Sequence, residues 1–512
     1  MKKLLFNEKT LDILFCISAF AFIYMQAVVF NSVDMDYWAR LLQGNAFLDT
    51  GHILETDPFS YTQTHLWLDH EWGSSVIFAV VQKAGYSFVL LFKSLLVFLT
   101  FFFTYKALKL NNENTNILFD IVYFVFAALA MPTVTQSWLR CHFFTFLFFT
   151  FSLFLLEKVR KSQNFKLLVI LPVLMLFWSN MHGGCVALLG ICVIYAAGEC
   201  LNKKPFKYYL LTVLACFAVM FINPYGIEYV KFIFMAVAME RPFVTEWISP
   251  FAHPAWNFLI EFKILYISNF ALLLFSLRKI KSDYTKYFLL IVCTYLSFRY
   301  VKNTPFFIIV SIIFLYGNLL CAIEKICEKF KLYFDVKILS IIFCSGIFVF
   351  SVYNIGMNII SVSLPDLSLQ PVKVVEFIKN NELSGNILAP FDMGSYIVYK
   401  LYPQNLIYMD GRYEEVYYNE TKELADKFYN TAKDWDKILE SGLMHDYIII
   451  PYDALINDYM EKRADYGLIY SDINNNLYAR KDLIKESYKM PNYKFSYRLW
   501  SEAFSTEVKI IE

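Results

Sequence analysis

Two aspartates, Asp34 and Asp36, stand one residue apart just beyond the first long apolar run of the chain. Carboxylates this close can divide labour: one takes a proton from an attacking hydroxyl while the other holds a cation or positions a substrate. Trp38 follows, an aromatic face suited to a sugar ring or to anchoring at headgroup level. Further along, His70 and Glu71 add an imidazole and another carboxylate, and a histidine there can shuttle a proton or ligate a metal. Asp57, inside Thr56-Asp57-Pro58-Phe59-Ser60-Tyr61-Thr62, reads equally well as a turn cap. Arg140, Arg241, Arg299 and Lys302 can stabilise a phosphate on which charge develops, or simply snorkel to lipid headgroups. Asn180 and His182 are hydrogen-bonding candidates, whereas Asn223, followed by Pro-Tyr-Gly, reads as a turn. Any one of these residues is explained as well by a structural ion pair as by a site, but the set taken together is not.

The elements that must position them are apolar. Hydrophobic residues make up 58% of the 512 positions and charged residues 18%. The excess lies in runs of roughly 15 to 23 residues between Leu11 and Ile360, long enough to cross a bilayer. The expected spans are 11–30, 86–108, 117–131, 140–156, 165–180, 184–198, 208–222, 258–277, 284–299, 305–322 and 338–360, about eleven in all. Ile227–Met239 is too short for a span and reads as an interfacial or re-entrant helix. Lysines and arginines concentrate in alternate loops, roughly twenty against roughly seven, which places the N-terminus inside and the C-terminal domain outside. The chemistry-capable residues then share the outer face, where ionisable groups near lipid are costly unless paired or used. The first outer loop, 31–85, carries most of them. Lysines before an uncleaved apolar run make residues 11–30 a retained span.

The net charge of +1 argues against nucleic acid as a partner, since a binding face would need clustered lysine and arginine. All ten cysteines, Cys16 to Cys344, lie in or beside apolar segments, so the C-terminal domain is not a disulfide-stapled fold. No paired CxxC motifs point to a zinc ribbon.

From Pro365 onward the texture alternates. Val372–Asn380, Ser395–Leu401 and Glu420–Tyr429 read as helices, and Asn386–Ala389, Leu406–Met409, Tyr447–Ile450, Leu468–Tyr470 and Asn476–Arg480 as strands. The expected organisation is therefore a membrane body over 1–364 and a small α/β cap domain over 365–512. Asp410-Gly411-Arg412 falls at a strand end, where sites occur, but a turn with an internal Asp–Arg pair is the favoured reading.

The ordered motifs carry a resemblance. Asp34-x-Asp36-Tyr37-Trp38, the Asp57-Pro58-Phe59-Ser60-Tyr61-Thr62 stretch and Trp67-x-Asp69-His70-Glu71-Trp72 resemble the first outer loop of the C-type glycosyltransferase superfamily (GT-C). The bacterial branch related to protein mannosyltransferases and aminoarabinose transferases is the nearest. Trp178-Ser179-Asn180-Met181-His182-Gly183-Gly184, Asn223-Pro224-Tyr225-Gly226, Arg299 with Asn303 and Pro305, Gly394-Ser395-Tyr396 and Asp410-Gly411-Arg412 extend the resemblance over nearly the whole chain.

The resemblance implies a multi-pass protein of the cytoplasmic (inner) membrane that takes a polyprenyl-phosphate sugar donor and passes the sugar, with inversion, to a glycan, lipid or protein acceptor. It implies a first-loop acid as base, either Asp36 or Asp34, with Asp36 preferred beside the aromatic pair. Trp38, His70, Glu71, Arg140, His182, Arg299 and Lys302 are the expected substrate contacts. A divalent cation on Asp34 and Asp36 is compatible with part of the superfamily and is left open. Two other readings compete: a transporter or flippase of a lipid-linked substrate, which should carry midplane ionisable residues and inverted repeats, and a non-catalytic scaffold of the same fold.

Overall fold

The computed structural model describes residues 8–112, 117–135, 138–239, 245–252, 263–264, 267–274, 283–317, 329 and 336–490. The chain divides into two compact units. One comprises Met1–Phe30, Val89–Gln136 and Cys141–Val362; the other comprises Asn31–Phe88, Ser137–Arg140 and Ser363–Glu512.

The first unit is helical and apolar, and the protein is a multi-pass membrane protein. Among the described residues five helices are long and apolar enough to cross a membrane: Thr10–Val29, Tyr86–Asn111, His142–Ser162, Gly183–Leu201 and Lys337–Met357. Shorter apolar helices cover Phe119–Met131, Phe165–Met181, Lys207–Val219 and Val301–Phe314. Half of the expected span 258–277 lies outside the described residues, as does Arg241. Ile227–Ala238 is a helix of 12 residues, in keeping with a segment too short to cross.

One charged cluster inside this body is centred on Arg160. Arg160 bonds Glu157 at 3.0 Å, Glu199 at 2.9 Å and Asp283 at 2.8 Å, and Tyr195 donates to Glu157 at 2.7 Å. Four charges and a phenol thus tie three helices, His142–Ser162, Val186–Leu201 and Tyr284–Arg299, which hydrophobic contact alone would leave free to slide in lipid.

The second unit contains a five-stranded sheet. Its strands are β1 Gly385–Leu388, β2 Asn405–Ile407, β3 Tyr447–Pro451, β4 Tyr466–Ser471 and β5 Asn475–Arg480, in the order β2-β1-β3-β5-β4. β1 runs parallel to both β2 and β3, with Phe391–Leu401 as the crossover helix between β1 and β2, while β5 and β4 return antiparallel. This is a small α/β layer, and its five strands and the helices Val372–Asn380 and Asn419–Tyr429 lie within a few residues of the positions the sequence indicates. β3, with burial on both faces, is the Ile-rich run that a central strand requires.

The segment after the first span belongs to this unit. Ser60 pairs in parallel with Ile407 and Thr64 antiparallel with Tyr417, and Ile407 N donates to Phe59 O at 3.0 Å. The first loop therefore covers the β2 edge, which would otherwise present unpaired backbone groups. The helix Met35–Thr50 packs along Trp72–Lys83; Gly44 allows this, because a Cβ there would run into the Ser75 carbonyl and the Ala79 methyl.

Candidate active site

Asp34 ends the extended chain and starts a helix. Its backbone is extended (φ −95°, ψ 173°), and its Oδ1 accepts from Asp36 N at 3.1 Å and Tyr37 N at 3.4 Å, as a helix N-cap does. Its other oxygen, Oδ2, accepts from Arg140 Nε at 2.5 Å. Asp36, in the first helical turn, lies 3.3 Å from the same Arg140 Nε through its Oδ2. The two carboxylates are thus unequal: the Asp34 side chain is 19% exposed and committed to the cap, whereas that of Asp36 is 38% exposed.

Arg140 reaches the pair because Trp138 anchors its segment. The Trp138 ring stacks on Tyr86 at 5.7 Å with planes 3° apart, and meets Tyr37 edge-on at 5.8 Å. Two residues later the guanidinium arrives at the helix start. A positive group held between two carboxylates at a helix N-terminus makes a place where anionic and neutral oxygens can both be received.

Trp38 is packed rather than presented. It is 7% exposed, edge-on to Tyr396 at 5.0 Å and tilted against Tyr399 at 5.1 Å. It supports the helix that carries Asp36.

One turn further along the same helix, Arg40 enters a second charged cluster. Its guanidinium bonds Asp69 at 2.6 Å and Glu415 at 3.0 Å and lies 3.5 Å from Glu71. His70 Nδ1 lies 3.0 Å from Glu415, and Trp67 Nε1 donates to the same carboxylate at 3.1 Å. Burial would push the His70 imidazole down, but the hydrogen bond to Glu415 and the charges of Glu71 and Glu415 outweigh it and raise it to about 9. Burial pushes Asp69 up against the pull of Arg40, whereas Arg40 and His70 overcome burial at Glu415 and hold it low.

His70, Glu71 and Glu415 offer one nitrogen and two oxygens within 4.8 Å of one another, a donor set of the kind a divalent cation takes. Arg40 already sits on both carboxylates, and a dication would have to displace it or bear its repulsion. Arg140 occupies the space between Asp34 and Asp36 in the same way. As the side chains stand, neither set fits a resident cation.

Arg412 forms a third, fully buried network. Its guanidinium bonds Asp57, Asp410 at 2.9 Å, Ser60 at 3.2 Å and Tyr417 at 3.0 Å. Asp57 also accepts from Phe59 N at 2.9 Å, so it caps its turn and pairs with arginine at once. The Asp410–Arg412 pair inside the turn is present, and it reaches across to the first loop.

The remaining expected contacts belong to the first unit and have local partners. His182 Nδ1 accepts from Gly184 N at 2.9 Å and lies 2.7 Å from Thr145 Oγ1, which also accepts from Trp178 Nε1 at 2.8 Å. Arg299 lies over the Tyr300 ring at 5.2 Å, and Lys302 over Trp247 at 3.7 Å with Glu246 at 3.8 Å. Asn223 bonds Asn180 at 3.2 Å and accepts from Tyr225 N at 3.0 Å, the turn its Pro-Tyr-Gly indicates.

The structure thus brings Asp34, Asp36 and Arg140 together and sets His70 and Glu71 around Arg40. Arg40, Asp69 and Glu415 are functional candidates that the sequence does not single out. Asp69 lies inside the Trp67–Trp72 motif, which is the one signal for it; nothing in the sequence pairs Glu415 with that motif across some 350 residues.

No family model matches the chain, and no curated protein matches it in sequence. Solved structures are similar to it in fold. The chain has the fold of the C-type glycosyltransferases. It is similar to an oligosaccharyltransferase of Archaeoglobus fulgidus in its apo form, with a TM-score of 0.60 at 10% identity over 88% of this chain and 70% of that one. The same enzyme in complex with Zn and sulfate matches at a TM-score of 0.53 and 12% identity, over 91% of this chain and 73% of that one. The arabinofuranosyltransferase AftD from Mycobacteria matches at 0.52 and 11% identity, over 93% of this chain but 40% of that one.

Proposed function

We propose that the protein is a membrane glycosyltransferase that moves a sugar from a polyprenyl-phosphate donor to an extracytoplasmic acceptor by a single inverting displacement. The observation that carries this reading is the convergence of Asp34, Asp36 and Arg140 at one helix start, within a fold shared with glycosyltransferases. Asp36 is the base: it takes the proton from the acceptor hydroxyl as that oxygen attacks the anomeric carbon. Asp34 orients Arg140 and caps the helix. Arg140 answers the charge that grows on the leaving phosphate as the glycosidic bond breaks. The proton passes to Asp36 and the electron pair of the broken bond to the phosphate, so no covalent enzyme intermediate is needed.

No step is routed through a cation, because Arg140 already stands between Asp34 and Asp36 and Arg40 on Glu71 and Glu415. His70 and Glu71 act on the site through Arg40 and the rest of the helix. His182, Arg299 and Lys302 are proposed donor contacts at the outer membrane face, on the charge-bias topology.

The test is transfer itself. Purified protein in lipid vesicles is given labelled polyprenyl-phosphate hexoses and pentoses with a glycan and lipid acceptor panel. The reading expects release of polyprenyl phosphate with a product of inverted anomeric configuration. Retention of configuration, or movement of intact donor across the vesicle without bond cleavage, would reject it.

A further inference from the structure

The segment 410–415 lies along the helix that carries the proposed base. Gly411 lies beside Asp36: a Cβ at position 411 would stand in ordinary contact, 3.4 Å from Asp36 Oδ1, 3.4 Å from Ser395 Oγ and 3.6 Å from Met35 Cγ. Four residues on, Glu415 bonds Arg40 at 3.0 Å, and Arg40 is four residues on from Asp36. Two contacts one helical turn apart on the same face fix both the rotation of a helix and its axial position. The partner segment is itself held: Gly411 N donates to Ser395 Oγ at 3.3 Å, and Arg412 is locked by Asp57, Asp410, Ser60 and Tyr417. A buried ion pair is weak evidence of stability, and setting register is its best-attested use.

We infer that Gly411 and Glu415 are positioning residues for Asp36: Gly411 sets the space beside the carboxylate and Glu415 pins the helix turn through Arg40. The inference rests on the reading of Asp36 as base. Neither residue touches the reacting atoms. A carboxylate that must meet a hydroxyl proton within hydrogen-bond distance loses rate when displaced by an ångström, while donor binding at the phosphate is little changed. A Cβ at position 411 already stands in contact with three side-chain atoms, so the loss should begin with atoms beyond it and grow with side-chain size.

The experiment is a size series at 411 with the register pin tested beside it. Gly411→Ala places a methyl group in ordinary contact and should keep most of the turnover. Gly411→Leu should lower kcat for a polyprenyl-phosphate sugar by about a hundredfold, leaving the donor KM within about threefold and the unfolding temperature near that of Gly411→Ala. Glu415→Gln should lower kcat and Glu415→Asp should recover part of it. The contact is also read without turnover: the double variant Asp36→Cys with Gly411→Cys should form a disulfide under mild oxidation, identified by mass spectrometry. Full kcat in Gly411→Leu, in protein whose Asp36→Asn variant is inactive, would overturn the positioning role and leave the base in place. Failure of the two cysteines to cross-link would overturn the contact itself. Activity in Asp36→Asn would instead reject the reading on which this inference stands.

Discussion

Asp34 holds two roles on two oxygens: one caps the helix by accepting from Asp36 N, and the other receives Arg140 at 2.5 Å. Its neighbour, in the same ion-pair network but free of the cap, has twice the exposure. The DxD spacing is therefore a division between a residue that builds the site and one placed to act in it.

That division can be measured. Asn is as good an N-cap as Asp, so Asp34→Asn should leave stability nearly intact, while Asp34→Ala should cost about 1 kcal/mol. Both lose the charge that holds Arg140, and both should lower turnover by about tenfold to a hundredfold. Thermal unfolding beside kcat checks this. Equal stability of the two variants would remove the capping role.

Arg140 presents a planar fork where lysine presents a point charge. Arg140→Lys should keep folding and donor binding but lower kcat by about tenfold, and Arg140→Ala by about a hundredfold or more, the range for removing one donor to a developing oxyanion. Comparison of kcat with the donor KM distinguishes this from a headgroup anchor, whose loss would leave kcat unchanged.

The His70–Glu415 pair should make stability fall with rising pH. The imidazole titrates at 6.5 when unperturbed and at about 9 in the fold. Raised by its partner, it contributes fully below its unfolded value, and the contribution is lost as pH rises through the folded one. The gap in unfolding temperature between wild type and His70→Gln should be widest near pH 6 and should close by about pH 9.5. A gap that is constant or widens with pH would contradict the pairing.

Arg412 is the keystone of the join between the first loop and the sheet. Arg412→Met would strand the buried Asp57 and Asp410 carboxylates without a partner, at a cost of about 3 to 5 kcal/mol. Limited proteolysis should then cut within residues 55–66 of the variant and spare the wild type. Equal protection would mean that the backbone pairing of Ser60 and Thr64 suffices alone.

Much of this is legible in the sequence. The apolar runs announce the spans, because a bilayer demands length and uniform apolarity. Val372–Asn380 and the Ile-rich β3 follow from period and burial. The Asp34–Asp36–Arg140 grouping is legible only as three residues on one face; contact between them depends on Trp138, whose stacking on Tyr86 no local pattern encodes. Trp38 reads as a sugar platform or a headgroup-level anchor; its packing against Tyr396 and Tyr399, partners some 360 positions away, is not legible in either reading. The covering of the β2 edge by Ser60 is hidden for the same reason: bridge pairing over such a separation leaves no periodic trace.

The central claim is that Asp36 removes the acceptor proton. Its most direct test is the kcat of Asp36→Asn on a labelled polyprenyl-phosphate sugar, with donor binding measured separately. The account expects a fall of about a thousandfold or more, within the reach of general-base catalysis, at unchanged donor affinity. Turnover close to wild type in that variant would contradict it.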